Sequence, residues 1–531
     1  MHNALKTRRI QQRRRRLAFE QLEGRQLLAT LNFTNPVGGA WNAPGNWDLG
    51  RVPVFDDIAI IDLPGNQVVT VGSGNFAALS VTSSEKIVLN SSLSVSTTIN
   101  GSGTVELRGG SLSNATLAPE TNVIGTSLGG TMTNVTVNGA IDLSQQVNAN
   151  MRIYGGLVLN GTATLGDTAG STYGRLLFGD SVASPGALTG SGMVVYGGHT
   201  ANFIQNSSNL PGAAGSLTFG PNVSIRGKNG TIYNDWASGN IVNQGSISAD
   251  AAGGTIILSG GRFSNSGTIN VSAGTLNWTG NSTLVGLGTI NRTGGTINLS
   301  GTLDLQGGTW NLNAASGSWN LLGGTVKNGT IAETNGALLV ITSSGGFLES
   351  ITINGDLDAS RQGNAYVRIR GGLILNGTAL LGDVAGSTYG RLFFGDIGAA
   401  PGALTGTGTV VFGGNINNYI ENSSNIVGAA GTLTFGPNIA IRGKSGWIYS
   451  AYSNGSLLNQ GSISPDVAGG TLTIGYGTAT FTNTGVVNIS TGTMTLYGNM
   501  TQVGLGTINR TGGTINLSGT LDLQEIGRAH V

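Results

Sequence analysis

The sequence predicts an all-β fold, a right-handed parallel β-helix (β-solenoid) built from two long repeats whose residue numbers differ by about 216. Three observations predict this fold. They are an internal duplication, short alternating strand patterns closed by turn residues, and a composition rich in glycine and poor in charge.

The duplication is the most specific of the three. Residues 285–306 read VGLGTINRTGGTINLSGTLDLQ, and residues 503–524 repeat that string letter for letter. Matching residues of the two repeats differ in number by 214 near the front of the repeat and by 218 after Gly475. These changes require two-residue insertions, which proteins tolerate at turns. The predicted divisions are a basic N-terminal targeting segment (1–30), a Trp-containing cap with the first coils (31–100), the first repeat (101–314), the second repeat (315–524) and a tail (525–531).

The local pattern inside each repeat is that of short strands. Residues 296–312, TINLSGTLDLQGGTWNL, alternate apolar and polar side chains in runs of four or five, and Ser-Gly or Gly-Gly closes each run. In a solenoid, such strands bury their inward side chains on the coils above and below, and polar corner residues stack in ladders. No stretch has the apolar spacing of a helix.

Composition excludes two other classes of chain. With 91 Gly in 531 residues, 39% hydrophobic and 10% charged residues, the chain is too apolar for disorder and lacks the collagen period. Tandem β-sandwiches and propeller blades remain open, because Asn-Gly pairs, which are typical of antiparallel hairpins, are frequent here. A coil of roughly 20 to 25 residues would give each repeat about nine or ten coils.

The first residues differ from the rest of the chain. They hold 8 of the 26 basic residues, which leaves 18 basic and 23 acidic side chains after residue 29, a net charge of −5. Because the chain after residue 29 lacks an excess of basic residues, we expect no nucleic acid as a partner. A basic tip of this kind is either a solvated tail or a targeting segment.

Residues 17–29, LAFEQLEGRQLLA, are similar to the LEPR-XLL motif, which is found at the N-terminus of large, repetitive, exported bacterial proteins. The residues that fit are Phe19, Glu20, Leu22, Glu23, Arg25, Leu27 and Leu28. Gly24 departs from the pattern, which usually has proline there. The resemblance implies an extracellular or cell-surface destination.

The segment that follows, from Trp41 to Ile61, resembles the start of bacterial autotransporter-like and adhesin-like β-helices. Trp41 and Trp47 precede Asp56, Asp57 and an apolar strand pattern. We interpret the two tryptophans as a cover for the open end of the first coil. The other interpretation is sugar stacking on exposed indoles.

Side chains for catalysis are few, so we predict no catalytic, cofactor-binding or metal-binding residues, no cofactor and no enzyme activity. The chain has three histidines and no cysteine. The GTSLG string at 125–129 matches a nucleophile-elbow pattern, and the GPNIAIRGKS string at 436–445 resembles a phosphate loop. Both lack the required flanking helix and fit chance matches in strand and turn sequence.

Carboxylates are the strongest enzymatic candidates, because β-helical polysaccharide lyases and hydrolases use acids on neighbouring coils. Five aspartates of the first repeat recur in the second: Asp142, Asp167, Asp180, Asp250 and Asp304, matched by Asp358, Asp383, Asp396, Asp466 and Asp522. A scatter that repeats in both copies fits turn caps and ion pairs better than one converged active site.

The last residues, 525–531, break the repeat abruptly. The string GAGATCGGAAGAGCACACGTC would encode them and resembles a sequencing adapter, so we expect this tail to be non-native and the repeat number to be larger.

The predicted function is an exported, non-enzymatic, structural or adhesin-like surface rod. Its expected partners are extracellular polysaccharide or cell-surface components, and no apolar run is long enough to span a membrane. A carbohydrate-active β-helix enzyme is the alternative, and a surface-lattice component comes third.

Overall fold

The structure is a computed structural model that describes residues 28–426 and 431–523. It is a parallel β-solenoid of about 21 turns, with 53% of residues in strands and 3% in helices. At about 4.8 Å per turn, the rod is about 100 Å long. Every pairing between its named strands is parallel, so the sandwich and propeller alternatives are wrong. The LEPR-XLL-like residues up to Leu27 and the 525–531 tail lie outside the described residues.

Each turn contributes one strand to each of three faces, which we number in the order the chain visits them. The first face contains Thr30–Asn32, Ile58–Ile61, Ser80–Ser83, Thr98–Asn100, Thr116–Leu117, Ala187–Thr189, Ser216–Phe219, Asn240–Asn243, Arg262–Asn265, Ser282–Thr283, Thr302–Asp304, Gly390–Phe394, Tyr419–Asn422, Gly446–Ser450, Thr471–Ile474, Thr493–Leu496 and Thr514–Leu517.

The second face contains Gly39–Ala40, Val68–Val71, Lys86–Leu89, Thr104–Leu107, Asn122–Gly125, Ile141–Leu143, Thr162–Leu165, Met193–Tyr196, Ser224–Gly227, Ser246–Ala249, Thr268–Val271, Thr289–Arg292, Thr309–Leu312, Ala403–Thr405, Thr432–Phe435, Ser456–Asn459, Thr480–Asn483, Asn499–Thr501 and Thr520–Asp522.

The third face contains Asn75–Ala78, Ser92–Val95, Ser111–Ser113, Tyr173–Phe178, Phe203–Asn206, Asn229–Asn234, Thr255–Ser259, Thr275–Trp278, Thr296–Leu299, Trp319–Leu321, Leu339–Ile341, Leu357–Ala359, Thr378–Leu381, Thr409–Phe412, Ala440–Gly443, Ser462–Pro465, Val486–Ile489 and Thr507–Arg510.

Five longer strands bend around a corner and serve two faces. Thr131–Val137 and Val147–Leu159 run from the third face to the first. Thr325–Glu333, Phe347–Asn354 and Ala365–Leu375 run from the first face to the second. Four short helices complete the described elements: the 3-10 turns Pro44–Asn46 and Gly212–Gly215, and the α-helical turns Leu284–Leu287 and Gln502–Leu505.

Alternation along the strands builds one continuous core. Inward positions carry buried Leu, Ile, Val and Phe from Leu31 to Met500, and outward positions are mostly Thr, Ser, Asn and Arg. The predicted ladders of polar corner residues are confirmed: Asn243 and Asn265 each end a strand, and buried Asn243 donates to Asn265 at 2.8 Å. A further ladder lies within strands of the third face, where Asn277, Asn298 and Asn320 join through side-chain amides at 2.8 and 2.9 Å.

The two tryptophans form the cap that their position predicts. Trp41 and Trp47 are buried and meet edge to face at 4.9 Å between ring centroids. The indole N–H of Trp47 donates to the carbonyl of Trp41 at 2.8 Å. Since neither indole face is open to solvent, sugar stacking on these residues is the wrong interpretation.

Equivalent strands of the two repeats lie on different faces. Tyr173–Phe178 belongs to the third face, and its counterpart Gly390–Phe394 belongs to the first. Likewise, Thr162–Leu165 lies on the second face and its counterpart Thr378–Leu381 on the third. The repeat therefore contains one strand more than a whole number of three-strand turns. Each feature of the second repeat is rotated by one face, a third of a turn, from its counterpart.

Candidate functional site

The repeated aspartates lie at turns, where they accept hydrogen bonds from backbone and hydroxyl groups. Asp142 accepts from the amide of Ser144 at 2.8 Å and from its hydroxyl at 2.6 Å. Asp167 accepts from the amide of Ser171 at 2.7 Å, and Asp304 from that of Gln306 at 3.0 Å. These carboxylates close turns.

The matched aspartates of the second repeat behave in the same way or form ion pairs. Asp358 pairs with Arg361 at 2.6 Å, and Asp383 caps its loop as Asp167 does. Asp466 pairs with Arg442 at 2.7 Å, as Asp250 does with Arg226 at 2.8 Å. Asp522 lies in the last strand described.

Two of these acids, Asp180 and Asp396, are poorly suited to general acid catalysis. The hydroxyl of Tyr154 donates to Asp180 at 2.7 Å and lowers the pKa of that carboxyl. Arg370, at 2.7 Å, lowers the pKa of Asp396. A general acid needs the opposite shift.

The other catalytic candidates also have structural surroundings. His199 accepts through Nδ1 from the amide of Ala201 at 3.0 Å. Gly125 ends a strand, and Ser127 follows in a turn with its amide bound to Gln146 at 2.9 Å. The 436–445 string contains the strand Ala440–Gly443. No group of three or more His, Cys, Asp or Glu among the described residues could hold a metal ion.

A different surface repeats in both copies, and sequence reasoning missed it. In the first repeat, the guanidinium of Arg175 lies 5.0 Å from the ring centroid of Tyr173 and 5.1 Å from that of Phe203. In the second, Arg391 lies 5.0 Å from Tyr389 and 4.8 Å from Tyr419. We call these two groups the first and second arginine clamps.

Neither clamp arginine has a polar partner among the described residues. Arg175 and Arg391 form none of the ion pairs or hydrogen bonds found there, and the Nε of each is buried without an acceptor. Cation–π attraction to two rings compensates part of the desolvation of a guanidinium. A buried unpaired donor that recurs at the same position in two copies calls for a further explanation.

The second clamp continues into a tyrosine ladder that is longer than its counterpart in the first repeat. There, Phe203 and Tyr233 meet at 5.4 Å between ring centroids, and nothing corresponds to the last two rings of the ladder. Ring centroids of Tyr419, Tyr449, Tyr476 and Tyr497 follow one another at 5.6, 6.0 and 6.1 Å. Tyr476 and Tyr497 are 54% and 38% exposed. Tyr476 stands in the two-residue insertion of the second repeat, directly after Gly475, whose φ of 89° suits glycine.

Two further positions distinguish the ladder from the first repeat. Tyr497 replaces Thr279, and Glu421 replaces Gln205. Burial, followed by the hydrogen bond that the Tyr449 hydroxyl donates to Glu421, raises the pKa of Tyr449. Coils of the first repeat pack without counterparts of Tyr476 and Tyr497, so coil packing does not require these two rings.

Glu333 is the carboxyl with the largest upward shift. Its two oxygens accept from the amides of Leu339 and Asp356 at 2.8 and 2.6 Å. Burial, together with the nearby carboxylates of Asp356 and Asp358, outweighs these bonds and raises the pKa of Glu333 to about 7.

Stability is therefore expected to fall as the pH rises from about 4.5 to about 7. In that window, the folded chain keeps a proton on Glu333 that the unfolded chain releases, and the contribution is at most about 3 kcal/mol, reduced by solvent screening. This contribution is fully present at pH values below the pKa of Glu333 in the unfolded chain. It is lost as the pH rises through the pKa of Glu333 in the folded chain. Urea unfolding at several pH values measures the slope. Glu333→Gln should flatten it, whereas the exposed control Glu120→Gln should not; an unchanged slope in Glu333→Gln would contradict the assignment.

No family model matches the chain, and no curated protein matches its sequence. None of the described helices is long and apolar enough to cross a bilayer.

Proposed function

We propose that this protein is an exported, non-enzymatic, structural or adhesin-like rod at a bacterial surface. One observation carries the proposal: both repeats present the same clamp surface along one solenoid, while their shared acids serve as turn caps and ion pairs. A single active site would concentrate acids in one place. The resemblance of residues 17–29 to an export-associated motif supports the extracellular destination.

An incubation of the full chain with acidic polysaccharides tests this function. We expect retention of the polysaccharide without new reducing ends or unsaturated products. Product formation that disappears in Asp180→Ala or Asp396→Ala would instead establish the alternative, a carbohydrate-active β-helix enzyme. Ordered two-dimensional assemblies in electron micrographs, without binding to polysaccharide, would favour a lattice component.

A further inference from the structure

We propose that the two arginine clamps are corresponding binding subsites, of unequal affinity, for a glycan that bears carboxylate or sulfate groups, and that the rod thereby cross-links two glycan chains. This inference rests on the proposed function, whose ligand class and mode of binding it specifies.

The unpartnered guanidiniums give the charge of the ligand. Most other arginines of the described repeats have an acidic or carbonyl partner, as Arg226 and Arg442 do. The contacts found for the guanidiniums of Arg175 and Arg391 among the described residues are with aromatic rings. A guanidinium held between two rings keeps a fixed plane, and its remaining N–H groups suit two-point binding of a planar or tetrahedral oxyanion.

Glu421, an acid on the strand next to that of Arg391, does not pair with the guanidinium. Glu421 accepts from the hydroxyl of Ser423 through one oxygen and from Tyr449 through the other. Both of its oxygens are therefore engaged with neutral donors. In the first clamp, the corresponding residue is the uncharged Gln205, whose side-chain amide donates to Asp235 at 2.9 Å, so the acid beside this clamp is also engaged with a neutral donor.

The flanking rings favour a glycan over other polyanions or a peptide. Tyrosine combines an apolar ring with a hydroxyl, which matches a ligand that has both C–H faces and hydroxyl groups. Both clamps lie on strands that are paired on each side, so no free edge is present for a peptide to join as an added strand.

The positions of the clamps give the valency. On the third face, nine successive strand pairings lead from the strand of Arg175, Tyr173–Phe178, to Thr378–Leu381, the strand that precedes Arg391 in the chain. The two clamps are therefore about 45 Å apart along the axis. The clamps also lie on different faces of the solenoid: Arg175 is on the third face and Arg391 is on the first. A straight glycan lying along one face therefore reaches one clamp only, so a rod with both sites occupied joins two chains.

The tyrosine ladder distinguishes the two subsites. Its last two rings, Tyr476 and Tyr497, extend the second clamp beyond the aromatic pair that both repeats share, so this site can contact a longer stretch of glycan than the first. We expect the site at Arg391 to bind more tightly, because stacking on added aromatic surface contributes affinity without a new charge.

The test compares the full chain with Arg175→Gln, Arg391→Gln and the double variant. The probes are polygalacturonate for carboxylates, dextran sulfate for sulfates and unmodified dextran as the uncharged control. Titration calorimetry should show two classes of site in the wild type, one in each single variant, and at least tenfold weaker binding in the double variant. Preference between the first two probes identifies the anionic group.

Cross-linking is measured by aggregation of polygalacturonate- or dextran-sulfate-coated beads, with the protein shown to be monomeric by light scattering. The wild type should aggregate the beads, and each single variant should bind them without aggregation. Arg226→Gln and Arg442→Gln, which remove ion-paired arginines at matching positions of the two repeats, are the controls and should behave like the wild type. Circular dichroism verifies that every variant folds.

Several results would overturn the inference. They are equal binding of unmodified dextran, wild-type affinity in the double variant, and aggregation of beads by either single variant. If the double variant still attaches to bacterial cells or matrix, the adhesin-like function stands and only the clamps are wrong. Product formation by the wild type would remove the proposed function while leaving clamp binding intact.

Discussion

Truncation of Leu299 to alanine should lower the free energy of unfolding by about 2 to 5 kcal/mol, whereas truncation of Leu517 should change it by less than about 0.5 kcal/mol. The two leucines occupy the same place in the identical strings 285–306 and 503–524. Leu299 is fully buried, and Leu517 is 53% exposed. Local sequence is therefore constant, and the comparison isolates the burial that a neighbouring coil provides.

The physical cause is the stacking of coils. The strand that contains Leu299 pairs with Thr275–Trp278 on one side and Trp319–Leu321 on the other. The strand that contains Leu517 pairs with Thr493–Leu496, and no second pairing is found for it among the described residues. In a solenoid, each coil depends on its nearest neighbours for its core.

Urea unfolding followed by far-UV circular dichroism measures both variants against the wild type. Ile297→Ala and Ile515→Ala form a second matched pair, since Ile297 is 1% and Ile515 37% exposed. Equal losses at Leu299 and Leu517 would show that the C-terminal coil is covered in solution, for example by self-association, and would contradict the exposure of Leu517.

Much of this fold could be predicted because solenoid strands follow a local rule. The alternation in residues 296–312 fixes which side chains face inward, and the structure buries Ile297, Leu299 and Leu303 accordingly. The cap formed by Trp41 and Trp47 could also be predicted. These two large apolar side chains precede the first coils, and the apolar end of the first coil is the surface there that has no neighbouring coil to cover it.

The one-face rotation between the repeats could not be predicted in this way. It depends on the number of strands in a whole repeat, and corner strands such as Val147–Leu159 count on two faces. Local alternation does not show where a strand bends. The spacing between the two copies in the sequence is compatible with a whole or a fractional number of turns.

The arginine clamps were missed for a related reason. Arg175 meets Phe203, which is distant in sequence, because their strands are neighbours on the third face. The recurrence of Tyr173 and Arg175 as Tyr389 and Arg391 was visible in the sequence. Their shared outward direction, set by alternation along one strand, was the available signal.

Trp319 lies in the first strand of the second repeat, which is already rotated by one face. Its strand, Trp319–Leu321, continues the third face after Thr296–Leu299, although the counterpart in the first repeat, Thr104–Leu107, lies on the second face. At this level, Trp319 packs edge to face with Trp310 at 5.1 Å and lies 6.3 Å from Trp278. The counterpart of Trp319 is Val105, so larger side chains fill the core at the junction.

We expect Trp319→Ala to cost about 3 to 5 kcal/mol, because it removes a fully buried indole from this cluster and leaves a cavity. Trp319→Phe should cost less than about 1.5 kcal/mol, since it keeps most of the apolar volume. The indole N–H of Trp319 is buried without an acceptor, and loss of an unpaired donor offsets part of the lost packing. Val105→Ala, which removes much less volume, should cost less than Trp319→Ala.

Urea unfolding, with tryptophan fluorescence and circular dichroism as separate probes, measures these three variants. A large loss in Trp319→Ala that both probes report together would mean that the junction couples the two repeats into one cooperative unit. If Trp319→Phe proves as costly as Trp319→Ala, the indole N–H has a partner in solution, and the shape of the whole indole, rather than its apolar volume, stabilises the core between the repeats.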